Sequence, residues 1–467
     1  MSISEWADDL GRWAESAQDR VGALFTPTVR LGVTGLARSG KTVFITSLVA
    51  NLLRRGRLSG LTAQAEGRIL ATALSPQPDM DAPRFDYERH LADLYAPPSA
   101  GGPRWPQSTR SVAQLRVSIR YRPTGLLAGL TGDQALHLDI VDYPGEWLLD
   151  LALLPKSFDD WSRAALSAAA GRAQASAFLE WMRGVDPQGA FEEETAQTGA
   201  RLYTEYLKAC RQAGLSGLTP GRFLLPGEME GAPALTFAPL PPHSDGAKGS
   251  LAASMRERFE AYKRVVVRPF FRDHFARLDR QIVLVDALSA ITDGPEAVAD
   301  MRAALTEILG AFRPGANSWL SGLLGRRVDR LLLAVSKADH IHHRHHPALQ
   351  ALVRDLLSQS TDRAEFKGAE VDAIAVAGVR ATVEMEIRRG GESLPVVEGR
   401  LLSGGRAQLF PGQPPSSLAA LAGSDWGSDV FAAEPFAPPI LESREDEGPP
   451  HIRLDRALEF LIGDKLA

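Results

Sequence analysis

Gly35-Leu36-Ala37-Arg38-Ser39-Gly40-Lys41-Thr42 is the segment that most restricts how this chain can fold. It matches G-x-x-x-x-G-K-[ST], a glycine-rich loop whose backbone N–H groups curl around phosphate. Such a loop needs a strand before it and a helix after it, whose dipole adds positive field at the phosphate. Both flanks fit: Thr28 to Thr34 reads as a short strand and Val43 to Leu53 as a helix. In this frame Gly35, Ala37, Arg38, Ser39 and Gly40 line the phosphates. Lys41 reaches the β- and γ-phosphates, and the Thr42 hydroxyl sits on Mg²⁺.

Bulk properties narrow the function class. At 467 residues, 44% hydrophobic and 23% charged, the chain has an ordinary globular make-up with room for two or three domains' worth of core. A net charge of −5 argues against a nucleic-acid partner held by bulk electrostatics. The single cysteine, Cys210, excludes an internal disulfide and a multi-cysteine metal site, and fits a reducing compartment. No run approaches roughly 18 apolar residues, so no transmembrane helix is expected. Glu5, Asp8 and Asp9 stand where a secretory signal would carry positive charge. These features place the protein in the cytoplasm and leave a peripheral position at the inner membrane open.

Taken in order, Ile3, Trp6, Leu10, Trp13, Ala17, Val21 and Leu24 form one apolar stripe, which predicts an N-terminal amphipathic helix (segment 1–27) docked on the protein's own body. Residues 54–111, rich in Pro, Gly and Arg, are too long for a plain connection and read as an ordered functional loop or a partly mobile one. Val112 to Tyr121 alternates like a half-exposed edge strand, and Leu136 to Asp142 is a second strand feeding Tyr143-Pro144-Gly145-Glu146-Trp147. Two sequential strands leading into D-x-x-G is the arrangement of Ras-like GTPases. The first part of that domain is assigned to 28–149, and residues 150–276 read as a mainly helical insertion.

The sheet pattern resumes over 277–380. Gln281 to Asp286 is a continuous apolar run, as in a strand buried on both faces. A helix to Phe312, a strand Arg330 to Val335, a helix Pro347 to Leu357 and a strand Val371 to Val376 follow, an alternation that makes an α/β core. Segment 381–467 reads as a hairpin about Gly390-Gly391, a loosely structured Pro/Gly/Ser excursion over 404–450, and a closing amphipathic helix from Ile452 to Ile462.

Three further motifs complete a phosphate-and-base constellation. Asp142, at a strand end, is placed to bind the metal through water, and the Gly145 N–H to contact a γ-phosphate. Ser336-Lys337-Ala338-Asp339 follows the next strand but one and resembles N/T-K-x-D, with Ser in first place. Its aspartate accepts two hydrogen bonds from guanine, a pair adenine does not offer, and the lysine stem lies along the base. Ala377-Gly378-Val379 occupies the position from which backbone N–H groups reach guanine O6. Thr109 is the candidate switch threonine on Mg²⁺, and Trp105-Pro106 a candidate anchor for that loop. Catalysis falls to Glu146, Arg38 and Thr109. Glu146 replaces the usual water-orienting glutamine, and a carboxylate there is repelled by the γ-phosphate unless protonated or turned outward. Arg38 is a candidate positive charge in cis. His340, His342, His343, His345 and His346 crowd one short stretch directly after Asp339; with no further carboxylate and no cysteine near them in sequence they read as a solvated loop beside the base rather than a metal site.

The order of these motifs, with the closing Ala457-Leu458-Glu459-Phe460-Leu461-Ile462-Gly463-Asp464-Lys465, resembles the bacterial YcjX-like family of P-loop proteins over most of the chain. The resemblance implies a Ras-like G domain with inserted helices, binding of GTP and GDP with Mg²⁺, and a stress-associated role with a membrane-protein partner. The expected function is a slow guanine-nucleotide switch. An ATP-binding or ATP-hydrolysing enzyme and a nucleotide-stabilised scaffold with negligible turnover stay open as alternatives.

Overall fold

The structure is a computed structural model that describes residues 26–467 except 37, 108–110, 125–131, 242–246, 312–327, 361–368, 390, 418, 421–430 and 443–445. The expected N-terminal helix lies outside the described residues. Strands β1 (Thr28–Gly35), β2 (Ile69–Ser75), β3 (Ala113–Tyr121), β4 (Gln134–Asp142), β5 (Arg280–Val285), β6 (Arg330–Val335) and β7 (Glu370–Ala375) form one sheet in the order β2-β3-β4-β1-β5-β6-β7. From β4 to β7 neighbours run parallel, whereas β2, β3 and β4 pair antiparallel.

The parallel strands are apolar on both faces because helices cover both faces. Alternation sorts their side chains into two layers. Val29, Leu31 and Val33 of β1, with Leu332 and Ala334 of β6, meet Phe44, Ile45 and Leu48 of the loop helix Lys41–Arg54 and Leu458 and Leu461 of the closing helix Leu454–Ile462. Leu331, Leu333 and Val335 of β6, with Val283 and Val285 of β5, face the other side. Arg280 begins β5 almost fully buried. Its guanidinium donates to the Leu461 carbonyl at 3.0 Å and to Asp464 at 2.8 Å, and pairs with Asp329, which fastens the closing helix beneath the sheet.

The segment between β4 and β5 is helical, with Phe158–Ala169, Ser176–Gly184, Glu193–Gln212 and Leu251–Tyr262 as its main helices. Trp161 is its packing centre, stacked on Phe259 at 5.1 Å and meeting Phe237 edge-on at 5.4 Å and Tyr203 at 5.9 Å. This aromatic nest belongs to the same apolar cluster as Val283, Val285 and Leu333 of the sheet. The insertion therefore shares the sheet's core, so movement at one is felt by the other.

Three readings change. The long stretch after the loop helix contains strand β2 and helix Tyr87–Leu94, and β2 pairs with β3 along the edge that β3 was expected to leave open. The hairpin β8 (Thr382–Arg389) and β9 (Glu392–Arg400) gains a third strand, β10 (Arg406–Leu409). The Pro/Gly-rich excursion buries Phe431 and Phe436, and its end runs back along the loop helix. There Asn51 donates to the Pro449 carbonyl at 3.1 Å and Arg54 to that of Glu447 at 2.9 Å.

Candidate functional site

In an open α/β sheet, loops at the C-terminal strand ends converge on one crevice. Here β1 delivers the glycine loop, β4 Asp142, β5 Asp286, β6 Ser336 to Asp339, and β7 Ala377 and Gly378. Two loop residues turn left-handed, Arg38 at φ 63° and Gly40 at φ 72°. Glycine is required at Gly35 for space: a Cβ there would lie 2.1 Å from Ser39 Oγ and 3.1 Å from the Leu284 carbonyl. Gly145 is hemmed in by backbone, since its Cβ would lie 2.2 Å from the Gly35 carbonyl oxygen. The D-x-x-G turn thus rests directly on the start of the glycine loop. Ala37 lies outside the described residues.

Lys41 closes the same corner. Its ammonium lies 2.8 Å from Asp142 Oδ1 and donates to the Tyr143 carbonyl at 2.6 Å. Asp142 is fully buried and Thr42, in the first turn of the helix, nearly so. One hydroxyl and one carboxylate, with further oxygens to come from phosphate and water, is a donor set that suits Mg²⁺.

On the base side, Ser336 Oγ donates to the Val285 carbonyl at 3.1 Å, which locks β6 to β5 at the crevice floor. Asp339 is buried. Its Oδ2 accepts the Ala381 N–H at 2.8 Å, and its carbonyl accepts the Thr382 hydroxyl. A carboxylate oxygen accepts twice, so this bond aims Asp339 and leaves acceptor capacity. Lys337, left-handed at φ 58°, places its ammonium on Asp286. That aspartate also caps helix Ala287–Asp293 by accepting from Ser289 N at 3.2 Å, and the sequence reading gave it no role. Ala377 departs from expectation: its N–H donates to the Ile452 carbonyl at 3.1 Å, so base contact from that amide requires breaking a bridge. Gly378 packs on the loop helix, where a Cβ would lie 2.9 Å from Phe44 Cα.

The catalytic candidates are arranged differently from the sequence reading. Thr109 lies outside the described residues. Arg38 donates to the Gln212 carbonyl at 3.2 Å, at the negative end of an insertion helix, and so ties the glycine loop to the insertion. Glu146 is neither exposed nor turned to solvent. It is buried, and Arg211 of the insertion lies 2.7 Å from its Oε1, an ion pair without hydrogen-bond alignment. The next residue is clamped as well. Trp147 donates from its indole N–H to the Leu225 carbonyl at 3.1 Å, under the Arg222 guanidinium 3.2 Å from its ring centroid.

A model of the YcjX-like family, DUF463, matches residues 29–466. The chain is 41% identical over 453 residues to the "Ras-like GTPase YcjX" of Escherichia coli strain K12, covering 94% of this chain and 96% of that protein. It belongs to the YcjX-like family. A relative of the same printed name from Shewanella oneidensis strain MR-1 is 36% identical over 464 residues, with 94% of each chain covered. The sheet order, the glycine loop and these relatives together make the fold that of a Ras-like P-loop protein.

In this member of the YcjX-like family the insertion is also fixed through Asp150. It accepts from the Gly221 N–H at 2.7 Å and from the Tyr262 hydroxyl at 2.6 Å. Burial pushes its carboxyl from the usual 3.8 up to about 6, against the lowering pull of Tyr262, the Gly221 amide and Arg222. Between those two pH values the folded protein keeps a proton that the unfolded chain has lost, so this group makes stability fall as pH rises. Relative to Asp150→Asn, which does not titrate, the wild type is expected to lose about 3 kcal/mol between about pH 4 and pH 6. Urea midpoints of both proteins across that range measure it, and parallel curves would contradict it.

The histidine stretch is a correction. His340, His342 and His346 are buried, not solvated. His340 lies edge-on to Phe436 at 5.1 Å, and His346 Nε2 lies 2.7 Å from the Ala338 carbonyl. Strand β8 brings Glu384 close enough that its carboxylate and the ring nitrogens of His342 and His343 lie within 4.8 Å of one another. That carboxylate is already shared by His343 at 2.5 Å and Arg380 at 3.6 Å. Trp105 anchors to the C-terminal excursion, donating to the Phe436 carbonyl at 2.8 Å. Among the described residues no helix is long and apolar enough to cross a membrane.

Proposed function

We propose that this protein is a guanine-nucleotide switch that hydrolyses GTP slowly and passes the state of the bound nucleotide to its helical insertion. The observation that carries this reading is the Gly145–Gly35 contact: the turn that would sense the γ-phosphate lies against the loop that grips it. Lys41 and the loop amides take the phosphates. Thr42 and Asp142 would hold Mg²⁺, whose charge offsets that of the β- and γ-phosphates. Asp339 reads guanine, with Lys337 and Ser336 shaping that side. The relatives' printed name, Ras-like GTPase, supports the same reading.

The switch follows from what surrounds Gly145. Glu146 is paired with Arg211, Trp147 is clamped by Arg222, and Asp150 is bonded to Gly221 and Tyr262. A shift of the D-x-x-G turn on γ-phosphate binding therefore pulls on three insertion contacts at once. GTP and GDP move this equilibrium only as far as their affinities for its two states differ. The stress-associated role and membrane-protein partner implied by the family resemblance remain part of this proposal and rest on that resemblance. Phosphate release from GTP, with Lys41→Ala as control, tests it. A rate clearly above the variant's is expected, and equal rates would remove the hydrolysis claim.

A further inference from the structure

Arg211 is the penultimate residue of helix Glu193–Gln212, whose final carbonyl is held by Arg38 of the glycine loop at 3.2 Å. That bond fixes the end of the insertion helix against the loop and sets Arg211 across Glu146, 2.7 Å from its Oε1. Glu146 directly follows Gly145, which rests on Gly35. A guanidinium supplied by the insertion thus lies one carboxylate away from where the reading above places the γ-phosphate.

We propose that Arg211 is the cation the insertion delivers to the γ-phosphate during GTP hydrolysis, and that Glu146 holds it until the triphosphate arrives. The proposal rests on the GTPase reading and adds the group that supplies transition-state charge. Arg38, the charge expected in cis from the sequence, is engaged at a helix end. The Arg211–Glu146 contact is close but not aligned as a hydrogen bond, so charge holds it, and a γ-phosphate competes with more charge. The Arg211 side chain also borders a cavity of about 30 Å³ that it shares with Leu36 and Arg38 of the glycine loop and with Asp286 and Asp293.

In the reaction a water oxygen bonds to the γ-phosphorus and the bond to the β,γ-bridging oxygen breaks. The electron pair leaves on GDP, and the proton of the water passes to the released phosphate. Arg211 donates N–H bonds to the oxygens on which charge grows. Glu146, released from the pair, accepts from the attacking water. A carboxylate can fill the place of the missing glutamine only while Arg211 keeps the local charge balanced.

The test is single-turnover GTP hydrolysis, together with GDP affinity measured with and without aluminium fluoride, on wild type, Arg211→Ala and Arg211→Lys. With no partner protein present, the wild type is expected to bind GDP more tightly when fluoride is added. Arg211→Ala should lose that tightening and hydrolyse GTP more slowly, on the order of 10³-fold, with GDP affinity changed by less than about threefold. Arg211→Lys should recover only part, because an ammonium lacks the planar fork. If Arg211→Ala folds poorly because Glu146 is left unpaired, Glu146→Gln/Arg211→Ala removes that charge and should still lack the tightening. Hydrolysis and fluoride response equal to wild type in Arg211→Ala would overturn this assignment alone. A wild type that binds no guanine nucleotide would overturn it together with the GTPase reading.

Discussion

Lys41→Ala is expected to weaken GTP binding by about two to four decades and GDP binding, which offers no γ-phosphate, by about one to two. A lysine contacting two phosphates makes charge-assisted contacts worth about 1.5–3 kcal/mol each, and every 1.4 kcal/mol is about tenfold in affinity. The same substitution also reaches the nucleotide-free protein, because Lys41 lies 2.8 Å from the fully buried Asp142. An uncompensated buried carboxylate costs about 3–5 kcal/mol, so thermal stability should drop as well. Lys41→Ala/Asp142→Asn separates the two effects: stability should return while affinity does not. Calorimetry and thermal unfolding with and without GDP report both, and a Lys41→Ala protein that binds GDP like the wild type would contradict the account.

Gly145→Ala is the second large effect. The added methyl would lie 2.2 Å from the Gly35 carbonyl oxygen and 2.7 Å from its carbon, both backbone atoms of a loop fixed by β1. A flexible side chain could move aside, but this backbone cannot without lifting the turn off the loop. Overpacking of this kind costs about 1–3 kcal/mol, and more where the backbone resists. The functional loss should exceed the loss of stability. With the turn displaced, the Gly145 N–H no longer meets the γ-phosphate, so the variant should bind GTP no better than GDP. Comparing the GTP-to-GDP affinity ratio of variant and wild type measures this, and an unchanged ratio would show that the turn does not sense the γ-phosphate.

The parallel half of the sheet was legible because its signals are local and strong. β5 and β6 are unbroken apolar runs, and the glycine loop can sit only between a strand and a helix. β2 was missed because Ile69-Leu70-Ala71-Thr72-Ala73-Leu74-Ser75 is short, rich in alanine and set among Pro, Gly and Arg, so neither propensity nor alternation marks it. The Pro-rich C-terminal stretch looked loose because composition cannot show that Phe431 and Phe436 are buried or that Pro449 meets Asn51.

Within the site, residue types could be read but pairings could not. Glu146 was singled out as a carboxylate in a place that repels one, yet its partner lies on a helix far along the chain. The histidines looked solvated because their covering residues, Phe436 and Arg453, come from the C-terminal segment. Asp286 carried a usable signal, a carboxylate at the end of an apolar strand, and its capping role was there to be found.

The central claim is that Asp339 makes this site choose guanine. Calorimetric titration of wild type and Asp339→Asn with GDP, ADP and xanthosine diphosphate tests it most directly. The account predicts that the wild type prefers GDP over ADP and that Asp339→Asn loses GDP affinity and gains affinity for the xanthine nucleotide. Equal wild-type affinity for GDP and ADP, untouched by Asp339→Asn, would contradict it.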